Sequence, residues 1–271
     1  MRQFRVVAFV LCAPLLPAVD VQLRTLDQSV IEQRFGRIQS KLDARADVLR
    51  SLFAEAGCAT ESWDEQRVSG AKLPNLICTL HGSTDRQVVV TAHYDKVSLG
   101  QGAIDNWSGA SLLASLYESL TAAPRNLTFV FVLTTDEEKG EVGARYFVTH
   151  LTKEQRSHVA ANVNIDSIGL AGPTYVWASR ADPQLSADAV AVAKTLGIPL
   201  GAMNVDNVGD SDSHPFVDKK IPVIDFHSLT SATLPILHSK KDEPAALDPV
   251  SYYNTYRLLS AFLAFLDAKA N

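Results

Sequence analysis

The segment LTFVFVLTTDEEKGEVG, residues 127–143, is apolar and rich in β-branched residues from Leu127 to Leu133, then meets Asp136-Glu137-Glu138. Other apolar runs end in the same way. VVVTAHYD delivers His93 and Asp95, and VNID ends in Asp166. GAIDNWSG sets Asp105 just ahead of a helix start, and LPILHSKKD brings His238 from a late loop. Imidazole together with carboxylate is the donor set of zinc or a similar borderline divalent ion. Two histidines and three carboxylates hold two ions if one carboxylate is shared. Charge supports that count: two dications and one hydroxide neutralise three carboxylates, whereas a single ion leaves surplus negative charge in a partly buried place.

Taken singly, each residue has a plainer reading. Glu137 and Glu138 suit a solvated turn, and Asp105 suits a helix N-cap. Asp166 suits the turn after a strand, and His93 and His238 suit ordinary strand-end and loop positions. Together these readings require independent coincidences, all at strand ends.

The elements that must position these residues alternate. Residues 27–56 read as a helix, with Val48, Leu49, Leu52 and Phe53 at helical spacing and Gly57 as its stop. NLICTL (75–80) and QVVVTA (87–92) read as strands separated by a Gly-Ser turn. Residues 106–120 read as a helix, LTFVFVLTT as a strand covered on both faces, and about 143–151 as a helix. VAANVNID, PTYVWAS and IPVIDFHS (221–228) read as strands. PQLSADAVAVAKTLG and the stretch from Pro249 to about Ala268 read as helices. This alternation predicts an α/β fold: a single domain with a mixed, largely parallel central sheet and helices on both faces. Ligands in such folds sit at the carboxyl ends of strands, which is where the carboxylates fall. Glu137 and Glu138 must both reach the site although strand neighbours point oppositely, so the chain must bend there, and Gly140 and Gly143 permit it.

Six motifs, TAHYDK, GAIDNWSG, TTDEEKGEVG, NIDSIG, SDSHPF and LHSKKD, occur in order. From about residue 40 onward the chain thereby resembles the co-catalytic dizinc aminopeptidases, typified by secreted bacterial leucyl aminopeptidases. Animal glutaminyl cyclases are relatives in the same superfamily. The resemblance implies a zinc-exopeptidase three-layer sandwich. It implies that Asp105 bridges two zinc ions, that Glu138 and His238 complete one site, and that His93 and Asp166 complete the other. Glu137 would be the general base and acid acting on a metal-activated water, and Asp95 the carboxylate that orients His93. The implied reaction is removal of the N-terminal residue from a peptide, with cobalt or manganese as alternative occupants of the site. Alternatives on the same scaffold are a glutaminyl-peptide cyclotransferase with a single zinc, and a carboxypeptidase or dipeptidase. A non-catalytic binding domain of this type would lose ligands, and this chain keeps them all. SDSHPF departs from the pattern, because relatives usually carry histidine where Ser213 stands. Asp212 is a candidate substrate-side group or a support behind the site, and Asp242 a candidate brace for the His238 loop. Trp107, Tyr175 and Trp177 suit either core or pocket.

The whole chain sets bounds. It has 271 residues, is 46% hydrophobic and carries a net charge of −5, with no basic stripe for nucleic acid. The N-terminal MRQFRVVAFVLCAPLLPAVD has two arginines, a short apolar core and Pro17-Ala18, the layout of an export signal. The expectation is a signal peptide over 1–18, a catalytic domain over 19–271, a periplasmic or extracellular location, no membrane attachment after signal removal, and a monomer. Cys58 and Cys78 remain as an even pair, suited to a bridge in an oxidising compartment.

Overall fold

The computed structural model describes residues 21–206 and 209–270; the predicted signal, with Cys12, lies outside the described residues. The strands are β1 (Trp63–Gln66), β2 (Asn75–Leu80), β3 (Gln87–His93), β4 (Thr128–Thr134), β5 (Val159–Ile165), β6 (Thr174–Trp177), β7 (Leu200–Met203) and β8 (Val223–His227). The helices are α1 (Gln28–Phe35), α2 (Leu42–Glu55), α3 (Gly109–Leu120), α4 (Val142–His150), α5 (Lys153–His158), α6 (Pro183–Leu196), α7 (His214–Asp218) and α8 (Pro249–Lys269). One sheet runs β1-β2-β4-β3-β5-β8-β6-β7. The four central strands β4, β3, β5 and β8 are mutually parallel, while β2 joins β4, and β6 joins β8, antiparallel. His93, the 135–138 turn, Asp166 and the end of β8 therefore share one rim.

Alternation along the strands divides the protein into unequal layers. Val88, Val90 and Ala92 of β3, Phe129, Phe131 and Leu133 of β4, and Ile224 and Phe226 of β8 face the larger core, shared with α1, α2, α3, α6 and α8. The opposite parity, Val89, Val130, Val132 and Val223, packs a smaller core under α4 and α7. His93 belongs to that second parity. So do Thr91, Asn162, Asn164 and Asp225, which are buried yet polar. They are linked in a row: Asn162 donates to Thr91 Oγ1 (3.0 Å), Thr91 donates to Asn164 Oδ1 (2.8 Å), and Asn164 donates to Asp225 Oδ1 (3.0 Å).

Several expectations are corrected. The predicted helix over 27–56 is two helices, because Gly36 closes α1 and residues 36–41 turn away before α2. The predicted helix over 106–120 becomes regular only at Gly109; Ala103–Ser108 form a wide turn in which Asp105 and Asn106 leave helical geometry. The strands on either side of the Gly-Ser turn do not pair, since β4 lies between them. The short β1, β7, α5 and α7 have too few residues to show a period and were not anticipated.

Cys58, just past α2, and Cys78 on β2 form a disulfide across a separation of 20 residues. Cross-linking a loop of this size stabilises by roughly 3 kcal/mol in the chain-entropy treatment. The double substitution Cys58→Ser, Cys78→Ser is expected to lower unfolding free energy by about that amount in urea melts. A change below about 1 kcal/mol would mean that the unfolded chain gains little freedom when the bridge is lost.

Candidate metal centre

The five anticipated ligands converge as two triads that share Asp105. His93, Asp105 and Asp166 form one and Asp105, Glu138 and His238 the other, with the ligand atoms of each within 4.8 Å of one another. His93 Nε2 lies 3.1 Å from Asp105 Oδ1 and 3.6 Å from Asp166 Oδ1. His238 Nε2 lies 3.1 Å from Asp105 Oδ2 and 3.0 Å from Glu138 Oε2. Glu137 Oε2 stands 3.9 Å from His93 Nε2. The donor set passes a test of fit for divalent metal. Nε2 of His93 and Oε1 of Glu138 are buried without a hydrogen-bond partner among the described residues, a costly arrangement unless a cation takes them up.

Comparison with known proteins gives the family. The model of peptidase family M28 matches residues 75–263. The chain belongs to that family. It is 29% identical over 153 residues to Aminopeptidase YwaD of Bacillus subtilis, covering 51% of this chain and 31% of the relative. Over 70% of its length it superposes on 49% of the solved chain of BSAP, a zinc aminopeptidase from Bacillus subtilis, with a TM-score of 0.65 and 25% identity. It also superposes over 96% of its length on the whole of an Acidobacteriales bacterium glutaminyl cyclase, with a TM-score of 0.77 and 18% identity, a likeness of fold. The chain thus spans about a third of the YwaD relative and about half of the BSAP chain.

The M28 rim is held by contacts that single residue types do not advertise. Asp95 does more than face His93, whose Nδ1 is 3.5 Å away. Its two oxygens accept the backbone N–H groups of Glu137 (3.0 Å) and Glu138 (3.2 Å). One carboxylate thereby fixes the imidazole and the paired glutamates together. The bend that presents both glutamates starts at Asp136, which with Gly140 and Glu141 has positive φ. Gly143 is not part of that bend. It lies in α4, where a Cβ would meet Asn75 Oδ1 at 2.4 Å and the Thr135 carbonyl at 2.5 Å, so close packing requires glycine there.

Asp105 is not an N-cap for α3. Its neighbour Asn106 donates to the Ile165 carbonyl (2.9 Å) and accepts from Ser167 (3.2 Å), pinning the Asp105 turn to the end of β5 beside Asp166. Asp242 braces two loops. Its carboxylate accepts from the backbone of Ile104 (2.7 Å) and Asp105 (3.3 Å), joining the His238 loop to the Asp105 turn. Fully buried Arg45 donates to the carbonyls of Tyr94 (3.2 Å), Asp95 (3.4 Å) and Gly102 (2.9 Å), and also to that of Gln101. Sequence reasoning missed Arg45 and Asn106, because arginine on a helix and asparagine before one carry no signal until their distant acceptors are known.

Other candidates fall differently. Trp107 is core, donating to the Phe35 carbonyl at 2.7 Å. Trp177 lines the cavity beside the triads, and Tyr175 stacks on His227. Asp212 is buried behind the site and accepts from Thr134. Ser213 takes part in a hydrogen-bonded group with Ser211 and Arg180, while His214 pairs with Asp210 in a third group with Glu141.

So many carboxylates in one buried place disturb each other. Burial, then the charges of Asp166, Asp212 and Asp105, push Glu137 far above the usual carboxylate range against the pull of His93. Burial and Asp105 likewise raise Glu138. Burial would lower His93, but Glu137 and Asp166 with Asp105 more than offset it. The hydrogen bond to Asp105 lifts His238 to about 9.

The signs give a pH dependence. A proton on His238 stabilises the metal-free fold fully below its unfolded value of about 6.5, and that contribution is lost as pH rises through about 9. Glu138, raised in the folded state, also loses its favoured proton as pH rises. The melting temperature of chelator-treated protein is therefore expected to fall between pH 6.5 and 9. Added zinc should flatten the fall, since metal replaces the protons. Calorimetry showing a rise across that window without metal would contradict this account.

Proposed function

We propose that this chain is a zinc-dependent exopeptidase that removes the N-terminal residue from a peptide with a free amino end. The observation that carries the reading is the pair of triads sharing Asp105. His93 and Asp166 would hold one ion, Glu138 and His238 the other, and Asp105 both. Zinc bound there would lower the pKa of a water and polarise the scissile carbonyl.

The chain's own residues supply the remaining steps. Glu137 projects toward the same space as the triads and lines the cavity of about 520 Å³ beside them. It is not needed as a ligand of either triad, so it is free to move protons. It takes the proton of the attacking water and returns it to the departing amine. Its raised affinity for protons suits a base, and bound dications would draw it back toward the operating pH. Asp95 holds Glu137 in place through the backbone N–H rather than the side chain, leaving the carboxylate unencumbered. A requirement for the substrate's free amine, which one of the two bound ions would hold, makes the enzyme an exopeptidase.

The disulfide supports an exported protein, and no helix among the described residues is long and apolar enough to cross a membrane. The solved glutaminyl cyclase that matches this chain end to end supports a second reading, single-zinc cyclisation of N-terminal glutamine. The completeness of the second triad favours hydrolysis.

Glu137→Gln is expected to retain its zinc content while kcat falls by about 10²–10⁴ on aminoacyl para-nitroanilides. Undiminished turnover in that variant would remove Glu137 from the mechanism. Elemental analysis of the wild type should find two zinc ions per chain, and mass spectrometry of a glutaminyl peptide should show loss of the residue rather than loss of ammonia. One zinc with pyroglutamate formation would instead establish the cyclase.

A further inference from the structure

Arg45 stands on α2 with no exposed surface. An arginine buried so deeply is ordinarily paired with a carboxylate. This one gives all five of its N–H donors to main-chain carbonyls. Nε donates to Gln39 (2.9 Å), Nη1 to Tyr94 (3.2 Å) and Asp95 (3.4 Å), and Nη2 to Gly102 (2.9 Å) and Gln101. Four of these carbonyls belong to one segment, residues 94–102, two at each end.

Asp242 holds the far end of the same stretch. Its main-chain carbonyl accepts from Gln101 (2.8 Å), and its carboxylate accepts from the backbone of Ile104 (2.7 Å) and Asp105 (3.3 Å). The approach is close: a Cβ on Gly100 would meet the Ser239 carbonyl at 2.3 Å and the Asp242 carbonyl at 3.1 Å. A buried cation thus takes the carbonyls of the segment, and a buried anion takes the N–H groups that follow it. Burial draws the Arg45 guanidinium down, and Asp242 leads the charges that oppose this, ahead of Asp95, Asp105 and Glu138.

The groups at the two ends give this arrangement a consequence. At one end, Asp95 accepts from the N–H groups of Glu137 and Glu138 and faces His93. Just past the other end stands Asp105, which both triads share. The separation of these two carboxylates decides whether the triads close, and a rigid planar fork spanning both ends fixes it better than a flexible amine could. We infer that Arg45 and Asp242 are positioning residues that act as one clamp on this segment, setting Asp105 against the other four candidate ligands and with it the zinc affinity of both triads. This rests on the zinc reading above; neither residue is itself a candidate ligand.

The test measures the zinc affinity of the full chain by competition with a fluorescent chelator, for wild type, Arg45→Lys, Asp242→Asn, the double variant and Leu49→Ala. Leu49 is fully buried on the same helix, so Leu49→Ala destabilises by opening a cavity while removing no hydrogen bond to the segment. Arg45→Lys keeps the charge and loses the fork. Arg45→Lys and Asp242→Asn should each weaken zinc binding by about 10–100-fold. The double variant should lose less than the product of the two, because both residues hold one segment. Leu49→Ala should stay within about threefold of wild type. Unchanged affinity in either single variant, an equal loss in Leu49→Ala, or a double variant that shows the full product overturns the clamp. If Arg45→Lys does not fold by circular dichroism, Asp242→Asn against Leu49→Ala decides. If the wild type takes up no zinc, the metal reading fails instead, and hydrogen exchange of the metal-free chain decides the clamp: faster exchange at the Ile104 and Asp105 amides in Arg45→Lys than in Leu49→Ala supports it, and equal or slower exchange overturns it.

Discussion

The carboxylate of Asp105 faces an imidazole with each of its oxygens, and the rest of the site depends on that sharing. Burial works against its ionisation, yet His238 and His93 hold it well below the usual carboxylate range. Around it stand Glu137, Glu138 and Asp166, too many negative charges for a half-buried rim unless cations accompany them. In the metal-free chain protons serve, and this is why the histidines and the glutamates all shift toward their protonated forms. A site that holds protons so firmly is a site arranged for something more strongly charged.

Keeping such groups a few ångströms apart requires loops that do not relax away from one another. The chain does this with polar contacts from outside the ligand set. Arg45 reaches from α2 into carbonyls at both ends of the loop that joins β3 to the Asp105 turn, Asn106 ties that turn to β5, and Asp242 joins it to the His238 segment. Asp95 joins the imidazole strand to the glutamate turn through main-chain N–H groups. These are contacts to backbone, so they set loop position whatever the neighbouring side chains are.

Much of this was legible in the sequence, for physical reasons that differ by element. Long apolar runs such as Leu127–Leu133 have few ways to be buried, and the central parallel strands follow. His93, Glu138 and Asp166 lie at or just past the ends of such runs, where a strand must leave the sheet, so the convergence of these candidate ligands follows from the topology. The break between α1 and α2 was hidden because helical spacing persists on both sides of Gly36. The role assigned to Gly143 was wrong because a glycine needed for close packing looks the same in sequence as one needed for a bend. The buried row of Thr91, Asn162, Asn164 and Asp225 was invisible, since its members lie on three strands that only tertiary structure sets side by side.

The two sides of the sheet are unequal. Five helices cover one, and the larger hydrophobic cluster lies there; α4 and α7 cover only part of the other, where the pocket opens. Most of the packing thus lies away from the part of the rim where the pocket opens. Residues at the pocket lips are therefore at liberty to drift in size and polarity, retuning selectivity, while the packing that keeps the chain folded goes undisturbed.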